Sequence, residues 1–232
     1  MGQIEPRAAA IVLAAGAGRR LGAPDPKAFV SIGGRPLLAV AAAAAAASPA
    51  VVTVVVTAPS GLEERAADCL AQLGKPFEVV TGGNTRQASV RAALGALPDD
   101  IDIVAVHDAA RPFAPPDLFS AVIDAVAGGA AGAIPAIPVS DTVKRVHEGV
   151  VVKTLDRREL VLAQTPQAFR LDLLRQVHVD AISTGVVATD DASLIELAGH
   201  AVRVLPGDPQ NFKITTLMDL ATAEARMGGP LD

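Results

Sequence analysis

Short apolar runs alternate with longer segments of helical character along most of this chain. Residues 8–15 form a continuous apolar run that ends at glycines, and 51–57 (VVTVVVT) and 101–106 are further runs of strand length. Shorter strands are predicted over 77–81, 130–137 and 201–205. Helices are predicted between them. The first, 36–47, is Ala-rich and stopped by Ser48-Pro49. The others cover about 60–73, 84–97, 115–126, 171–181, 190–198 and 216–227. Unbroken apolar strands alternating with helices predict a parallel sheet covered on both faces. Over 139–158 the rhythm changes. The stretch SDTVKRVHEGVVVKTLDR places two alternating strands around His147-Glu148-Gly149, which predicts a hairpin leaving the main sheet. With no repeat and no linker, the expectation is a single α/β domain over 1–232 carrying a β-arm inserted at about 139–158.

Composition narrows the function classes. Half of the 232 residues are hydrophobic and 19% are charged, which suits a sizeable core and rules out a disordered chain. The net charge of −5 argues against a surface built to hold a nucleic-acid backbone. Six Phe with no Trp and no Tyr leave few stacking platforms for bases and exclude any mechanism needing a tyrosine hydroxyl. The single cysteine, Cys69, excludes a disulfide within the chain and a Cys-based zinc site. Its neighbours Ala66, Ala67, Leu70 and Leu73 predict a small buried apolar residue. The start, MGQIEPRAAAIVLAAG, does not read as a signal peptide, and the longest apolar stretch, 37–47, is short of the ~20 residues that span a bilayer. A soluble cytoplasmic protein without a membrane partner is expected.

In an open parallel sheet, ligands bind beyond the carboxyl ends of the strands. The first such loop is Ala14-Ala15-Gly16-Ala17-Gly18-Arg19-Arg20-Leu21-Gly22, followed by Pro26-Lys27. Glycines there let backbone N–H groups approach a phosphate chain, and the two arginines and Lys27 neutralise phosphate oxygens. The G-x-G-x-x-x-G spacing also resembles that of nicotinamide-dependent short-chain dehydrogenases. Those need a catalytic Tyr, which this chain lacks, and the second strand ends in Thr57-Ala58-Pro59 with no acid for a ribose hydroxyl. The second loop, Gly82-Gly83-Asn84-Thr85-Arg86 with Ser89 a turn on, reads either as a tight turn capped by Asn84 or as a base-edge reader through backbone groups and the Ser89 hydroxyl. The third is His107-Asp108-Ala109-Ala110-Arg111-Pro112. A carboxylate at a strand tip suits Mg²⁺ shared with phosphate oxygens, while Arg111 offers Asp108 a structural partner and His107 reads as a packing residue. The last cluster holds Thr165-Pro166-Gln167, Thr189-Asp190-Asp191 and Asn211-Phe212-Lys213. Thr189 reads as an N-cap, Asp190 and Asp191 as complements of the helix dipole, and Lys213 as a solvated lysine, so spacing alone decides nothing there.

Taken in order, VLAAGAGRRLG…PKAF, GGNTRQASV, VHDAARP, SDTVK, LDR, QTPQ, TDDAS and NFKIT resemble the 2-C-methyl-D-erythritol 4-phosphate cytidylyltransferase family from about residue 11 to 223. The AAGxGxR loop is shared by many nucleotidyltransferases; VHDAARP, TDDAS and the inserted arm are narrower. The length matches the single-function enzyme. The resemblance implies a Rossmann-like open, mostly parallel sheet with a β-arm used for dimerisation. It also implies transfer of CMP from CTP to methylerythritol phosphate with Mg²⁺, releasing pyrophosphate. By position, Ala14, Ala15, Gly16, Gly18, Gly83, Asn84, Ser89, Asp108 and Ala109 would bind the nucleotide, with Asp108 the metal ligand. Arg20, Lys27 and Lys213 would be catalytic. Arg111, Thr165, Thr189 and Lys213 would line the acceptor pocket, and Thr142 and Arg157 would serve a partner subunit's site in a homodimer. The chain departs from the family pattern GG-x-E-R-Q-[DE]-S-V at Thr85 and Ala88, where both acids are neutral, and at Leu13, where Pro is common. Other acceptors, such as ribitol phosphate, go with nearly the same motifs. A non-enzymatic nucleotide-binding protein would not need Asp108, Arg111, Thr189 and Lys213 together.

Overall fold

The structure, a computed structural model, describes residues 6–16 and 25–228. At its centre lies β1 (Ala8–Leu13), hydrogen-bonded in parallel to β4 (Val51–Ala58) on one side and β6 (Ile103–Asp108) on the other. Beyond β4 lies β5 (Phe77–Thr81), also parallel. Both faces of β1, β4 and β6 are buried, which is why they read as apolar runs, whereas β5 at the sheet edge has no buried residue. Ala8, Ala10 and Val12 of β1 point into one core cluster and Ala9 and Ile11 into the other.

The first face packs against α1 (Leu37–Ala47), α2 (Glu63–Leu70) and α4 (Pro116–Ala127). Ala dominates α1, and its small side chains let the helix lie close over the sheet. The second face carries α3 (Arg86–Gly95), α5 (Leu171–Thr184) and α6 (Asp191–Leu197). Phe119 and Phe169, both with no exposed surface, supply large volumes, one to each cluster. Cys69 is half-buried against the first cluster, less enclosed than its neighbours predicted, and burial still raises its thiol pKa.

Past β6 the sheet turns mixed. Here β11 (Gln167–Arg170) runs antiparallel between β6 and β7 (Gly132–Pro138), and β10 (Val161–Ala163) pairs antiparallel with the end of β7. On β7 also pairs β12 (Val202–Pro206), in parallel. The strands β10 and β11 are too short for the sequence pattern to reveal. Two-residue strands β2 (Ser31–Ile32) and β3 (Arg35–Pro36) turn through Gly33 and Gly34 at φ 54° and 76°, the left-handed backbone glycine tolerates. With α7 (Leu217–Arg226) they enclose a third cluster around Ile32, Leu37, Ile214 and Ala223.

The predicted arm is a separate two-stranded ribbon, β8 (Lys144–His147) against β9 (Val150–Thr154), with Glu148 and Gly149 both at positive φ in its turn. Every residue of both strands is exposed.

A Cβ at Gly132 would lie 2.6 Å from Phe169 Cδ1, so β7 and β11 approach closely only because Gly132 is bare. Gly132→Ala is expected to cost ~1–3 kcal/mol by overpacking, and Phe169→Ala ~3–5 kcal/mol by cavity formation. The double variant should cost clearly less than their sum, because truncating the ring removes the clash. Chemical denaturation of the four proteins checks this.

Candidate active site

The carboxyl ends of β1, β4, β5 and β6 open on a cavity of ≈ 660 Å³. Ala14, Ala15, Gly16, Lys27, Gly83, Asn84, Ser89, Asp108, Ala109 and Lys213 all line it. Gly18 and Arg20 fall outside the described residues.

The loop after β1 is pinned by the Ala14 N–H, which donates to the Thr57 carbonyl at 3.0 Å, and the Ala109 N–H donates to the Leu13 carbonyl at 3.1 Å. A Cβ on Gly82 would come within 2.1 Å of Ala15 Cβ, so the loops after β1 and β5 touch only because residue 82 is glycine. Lys27 opens a single 3₁₀ turn, Lys27–Phe29. Arg65 of α2 grips both sides of it, pairing with Asp25 at 3.1 Å and stacking 4.3 Å over the Phe29 ring.

The turn after β5 differs from its expected form. Thr85, not Asn84, caps α3, accepting from the Ala88 N–H at 3.0 Å. Ser89 Oγ accepts from the Gly83 N–H at 3.1 Å and donates to the Thr85 carbonyl at 3.0 Å. Its hydroxyl is committed to the turn, in which Gly83 and Asn84 line the cavity. Asn84 was the reasonable guess from sequence; only the φ/ψ of the turn, with Thr85 extended, decides between neighbours.

Asp108 is the focus of charge. Lys213 Nζ lies 2.6 Å from its Oδ2 and Arg86 Nε 3.6 Å from its Oδ1. Burial alone would raise its pKa, but Lys213 and Arg86 overcome this and hold it at about 2. Arg111 does not pair with it: the Arg111 guanidinium donates to the carbonyls of Asn211 (2.8 Å) and Ala163 (3.3 Å). Lys213 is exposed, as its sequence reading expects, but it is also ion-paired to Asp108. Its loop is fixed by buried Asn211, which donates to the Thr165 carbonyl at 2.8 Å, and by the Ile214 N–H on the Ala110 carbonyl at 2.8 Å.

Beneath Asp108 runs a chain of hydrogen bonds. The Asp108 N–H donates to Thr165 Oγ1 (3.0 Å), whose own proton goes to His107 Nδ1 (2.9 Å). His107 Nε2 must then carry the ring proton and donate to the Arg111 carbonyl (3.0 Å). Buried and edge-on to Phe119, His107 is the packing residue expected, and burial lowers its pKa to about 4.

Several predicted acceptor residues lie outside the cavity wall. Thr165 is buried with its hydroxyl spent as above, and Arg111 lies under the Asn211 loop. Thr189 is exposed and precedes the true cap of α6, Asp190, whose Oδ1 accepts from the Ser193 N–H at 3.1 Å. Asp191 does more than complement a dipole: fully buried, it pairs with Arg86 at 2.7 Å and His178 at 2.8 Å. Thr142 and Arg157 are exposed at the root of the arm, where the Arg157 guanidinium donates to the Ser140 carbonyl. The sequence reading left Thr85, Arg86 and Asp191 out of the site, although Arg86 was visible as a cation in a cavity loop and Asp191 as the second acid of TDDAS.

A glycine-framed loop after β1, lysines from two distant segments and a strand-tip carboxylate in one cavity define a nucleotidyltransferase of α/β architecture. Residues 8–229 match the family described as 2-C-methyl-D-erythritol 4-phosphate cytidylyltransferase, and the chain belongs to that family. An enzyme of that description from Frankia casuarinae is 46% identical, with 95% of this chain and 81% of the relative covered. A bifunctional IspD/IspF enzyme from Clavibacter michiganensis is also 46% identical over 94% of this chain, which spans about half (54%) of that relative's length. The solved structure of 4-diphosphocytidyl-2C-methyl-D-erythritol synthase from Anaerococcus prevotii superposes with a TM-score of 0.87 at 29% identity, covering 97% of each chain.

The His107 pKa makes a pH prediction. Because the folded value, about 4, lies below the ordinary 6.5, the unfolded chain takes up the proton first and stability falls as pH drops from 6.5 toward 4. Between pH 7 and pH 5 this residue is expected to remove on the order of 2 kcal/mol. Urea unfolding of the parent and of His107→Gln at both pH values checks it: the variant should lose markedly less on acidification.

Proposed function

We propose that this chain transfers CMP from CTP to 2-C-methyl-D-erythritol 4-phosphate and releases pyrophosphate. The observation that carries this reading is the clustering of Lys27, Lys213 and ionised Asp108 around the glycine turns at one end of the sheet. The glycine turns would take the nucleotide, with the backbone of Gly83 and Asn84 toward cytosine and that of Ala14, Ala15 and Gly16 toward the phosphates. An acceptor phosphate oxygen would attack the α-phosphorus, forming one P–O bond while the bond to the β-phosphate oxygen breaks and pyrophosphate leaves.

A phosphate monoester is already a nucleophile at neutral pH, so no general base is required. That agrees with His107, which is neutral, enclosed and fully hydrogen-bonded. The protein's task is to place two anions in line and to neutralise charge at the α-phosphate. Lys27 and Arg20 would hold the α-phosphate, and Lys213 would exchange its contact with Asp108 for a phosphate oxygen.

Among the described residues no group of three or more His, Cys, Asp or Glu converges on a metal. One ionised carboxylate still fits Mg²⁺, which binds through one or two carboxylates with phosphate oxygens and water. Asp108 would hold it, and when bound the ion would screen the triphosphate charge. Arg111, Thr165 and Thr189 are further from this reading than Lys213, since two have committed side chains and none lines the cavity wall.

A homodimer through the arm belongs to the same reading. Val146, Val150, Val151 and Val152 are 54–68% exposed on a ribbon with no cover, and an isolated two-stranded ribbon is marginal in water. Thr142 and Arg157 at its root would then serve the partner's site. No described helix is long and apolar enough to cross a membrane; a cytoplasmic place suits small soluble substrates.

Pyrophosphate release from CTP with methylerythritol phosphate and, side by side, with ribitol phosphate tests the reading, and preference for ribitol phosphate would replace the acceptor. Lys27→Ala should lower turnover at least ~100-fold, as for loss of a preorganised charge on the transition state; rates within a few-fold of the parent would sink that assignment. Val150→Asp combined with Val152→Asp should shift the protein toward monomer in sedimentation and lower turnover. A dimer of unchanged stability would remove the arm from the interface.

A further inference from the structure

The buried ion pair behind the cavity has no counterpart in the roles assigned so far. From α5, His178 Nε2 lies 2.8 Å from Asp191 Oδ1. Asp191 Oδ2 accepts from Arg86 at 2.7 Å, and the same guanidinium turns its Nε toward Asp108 Oδ1 at 3.6 Å. Lys213 on Oδ2 completes the row. Side-chain exposure is 1% for His178, 0% for Asp191 and 26% for Arg86, so the ions face water only at the cavity end.

Burying an Arg–Asp pair is a poor way to stabilise a fold. Desolvation cancels much of the attraction, and apolar residues of similar size commonly do as well. The arrangement makes sense through its outer edge. A guanidinium is a rigid fork, so fixing one edge on Asp191 aims the other. Its Nε faces one oxygen of Asp108 and leaves the second to Lys213, whose side chain is 43% exposed and can swing away while its loop stays in place. One oxygen of the strand-tip carboxylate thus faces a permanent charge and the other an exchangeable one. Arg86 NH2 is buried and makes no hydrogen bond, a cost that a purely structural pair would have no reason to bear.

We propose that Arg86, held by Asp191 and His178, is a positioning residue for Asp108 that fixes which carboxylate oxygen is open to the nucleotide-bound cation. This rests on the reading of Asp108 as the cation's ligand. Arg86→Lys keeps the charge but loses the fork, Asp191→Asn loosens the grip on Arg86, and His178→Gln acts one step further back. Mn²⁺ serves as the probe: its binding with CTP is followed by electron paramagnetic resonance, beside pyrophosphate release and thermal melting. Arg86→Lys and Asp191→Asn are expected to weaken Mn²⁺ binding with CTP at least tenfold and to lower kcat, with KM for the acceptor changed less than threefold. His178→Gln should move the same quantities less. A purely structural pair would lower melting temperatures while the folded variants bound Mn²⁺ with CTP as the parent does; that result overturns the proposal. Should Arg86→Lys not fold, Asp191→Asn decides, because it loosens the anchor while Arg86 itself stays. A parent that binds Mn²⁺ and CTP but releases no pyrophosphate would refute the cytidylyl-transfer reading, and the binding comparison would still decide on Arg86.

Discussion

A carboxylate recessed at the end of a buried strand must be met by positive charge or give up its own, and Asp108 recruits the surrounding structure to meet it. Lys213 comes from a loop 105 residues further along the chain, and Arg86 from the start of α3. Each cation needs its own support. Asn211 and Ile214 hold the lysine's loop, and Asp191 and His178 back the arginine. Elements far apart in sequence, from α3 to the loop before α7, are thereby set in place by one ionised group. The backbone of Asp108 does the same for a neutral network, passing through Thr165 and His107 to the Arg111 carbonyl.

Most of the fold was legible because the central strands β1, β4 and β6 are buried on both faces. Runs such as VVTVVVT can be little else than interior strands, and the Ala-rich α1 and the arm declared themselves equally well. What escaped were elements whose reasons lie elsewhere in the chain. The strand β11 is four residues long and runs straight into α5; only the gap between β6 and β7 makes it a strand. The caps of α3 and α6 each fell one residue past the expected position, since Asn84 and Thr85, or Thr189 and Asp190, are equally good candidates on paper.

The candidate site divides in the same way. Glycine turns, Lys27 and Asp108 were readable because local spacing ties them to strand ends. Lys213 had no local signature, and only the family resemblance pointed to it. For Arg111 and Thr165 the resemblance named acceptor contacts; in this structure the Thr165 hydroxyl bonds the Asp108 N–H and His107, and the Arg111 guanidinium bonds the carbonyls of Asn211 and Ala163. The Arg86–Asp191 pair was the least legible part. Its two halves are 105 residues apart; Asp191 alone reads as a charge complementing a helix dipole, and Arg86 as one more residue of a turn. The lack of Tyr and Trp, by contrast, mattered to both levels: it removed a dehydrogenase reading and left three buried phenylalanines, Phe29, Phe119 and Phe169, in a described core otherwise built from Ala, Val, Leu and Ile.

The touching loops after β1 and β5 carry a historical consequence. With Ala15 Cβ standing where a side chain on residue 82 would have to begin, the two positions share one methyl group's worth of room. Neither can drift by itself in the direction of a larger residue. A lineage that exchanged glycine at 82 for alanine would first have to pass through glycine at 15, and the reverse order would be a dead end. The pair therefore behaves as a single two-letter character, and any path between its states runs through glycine at both positions.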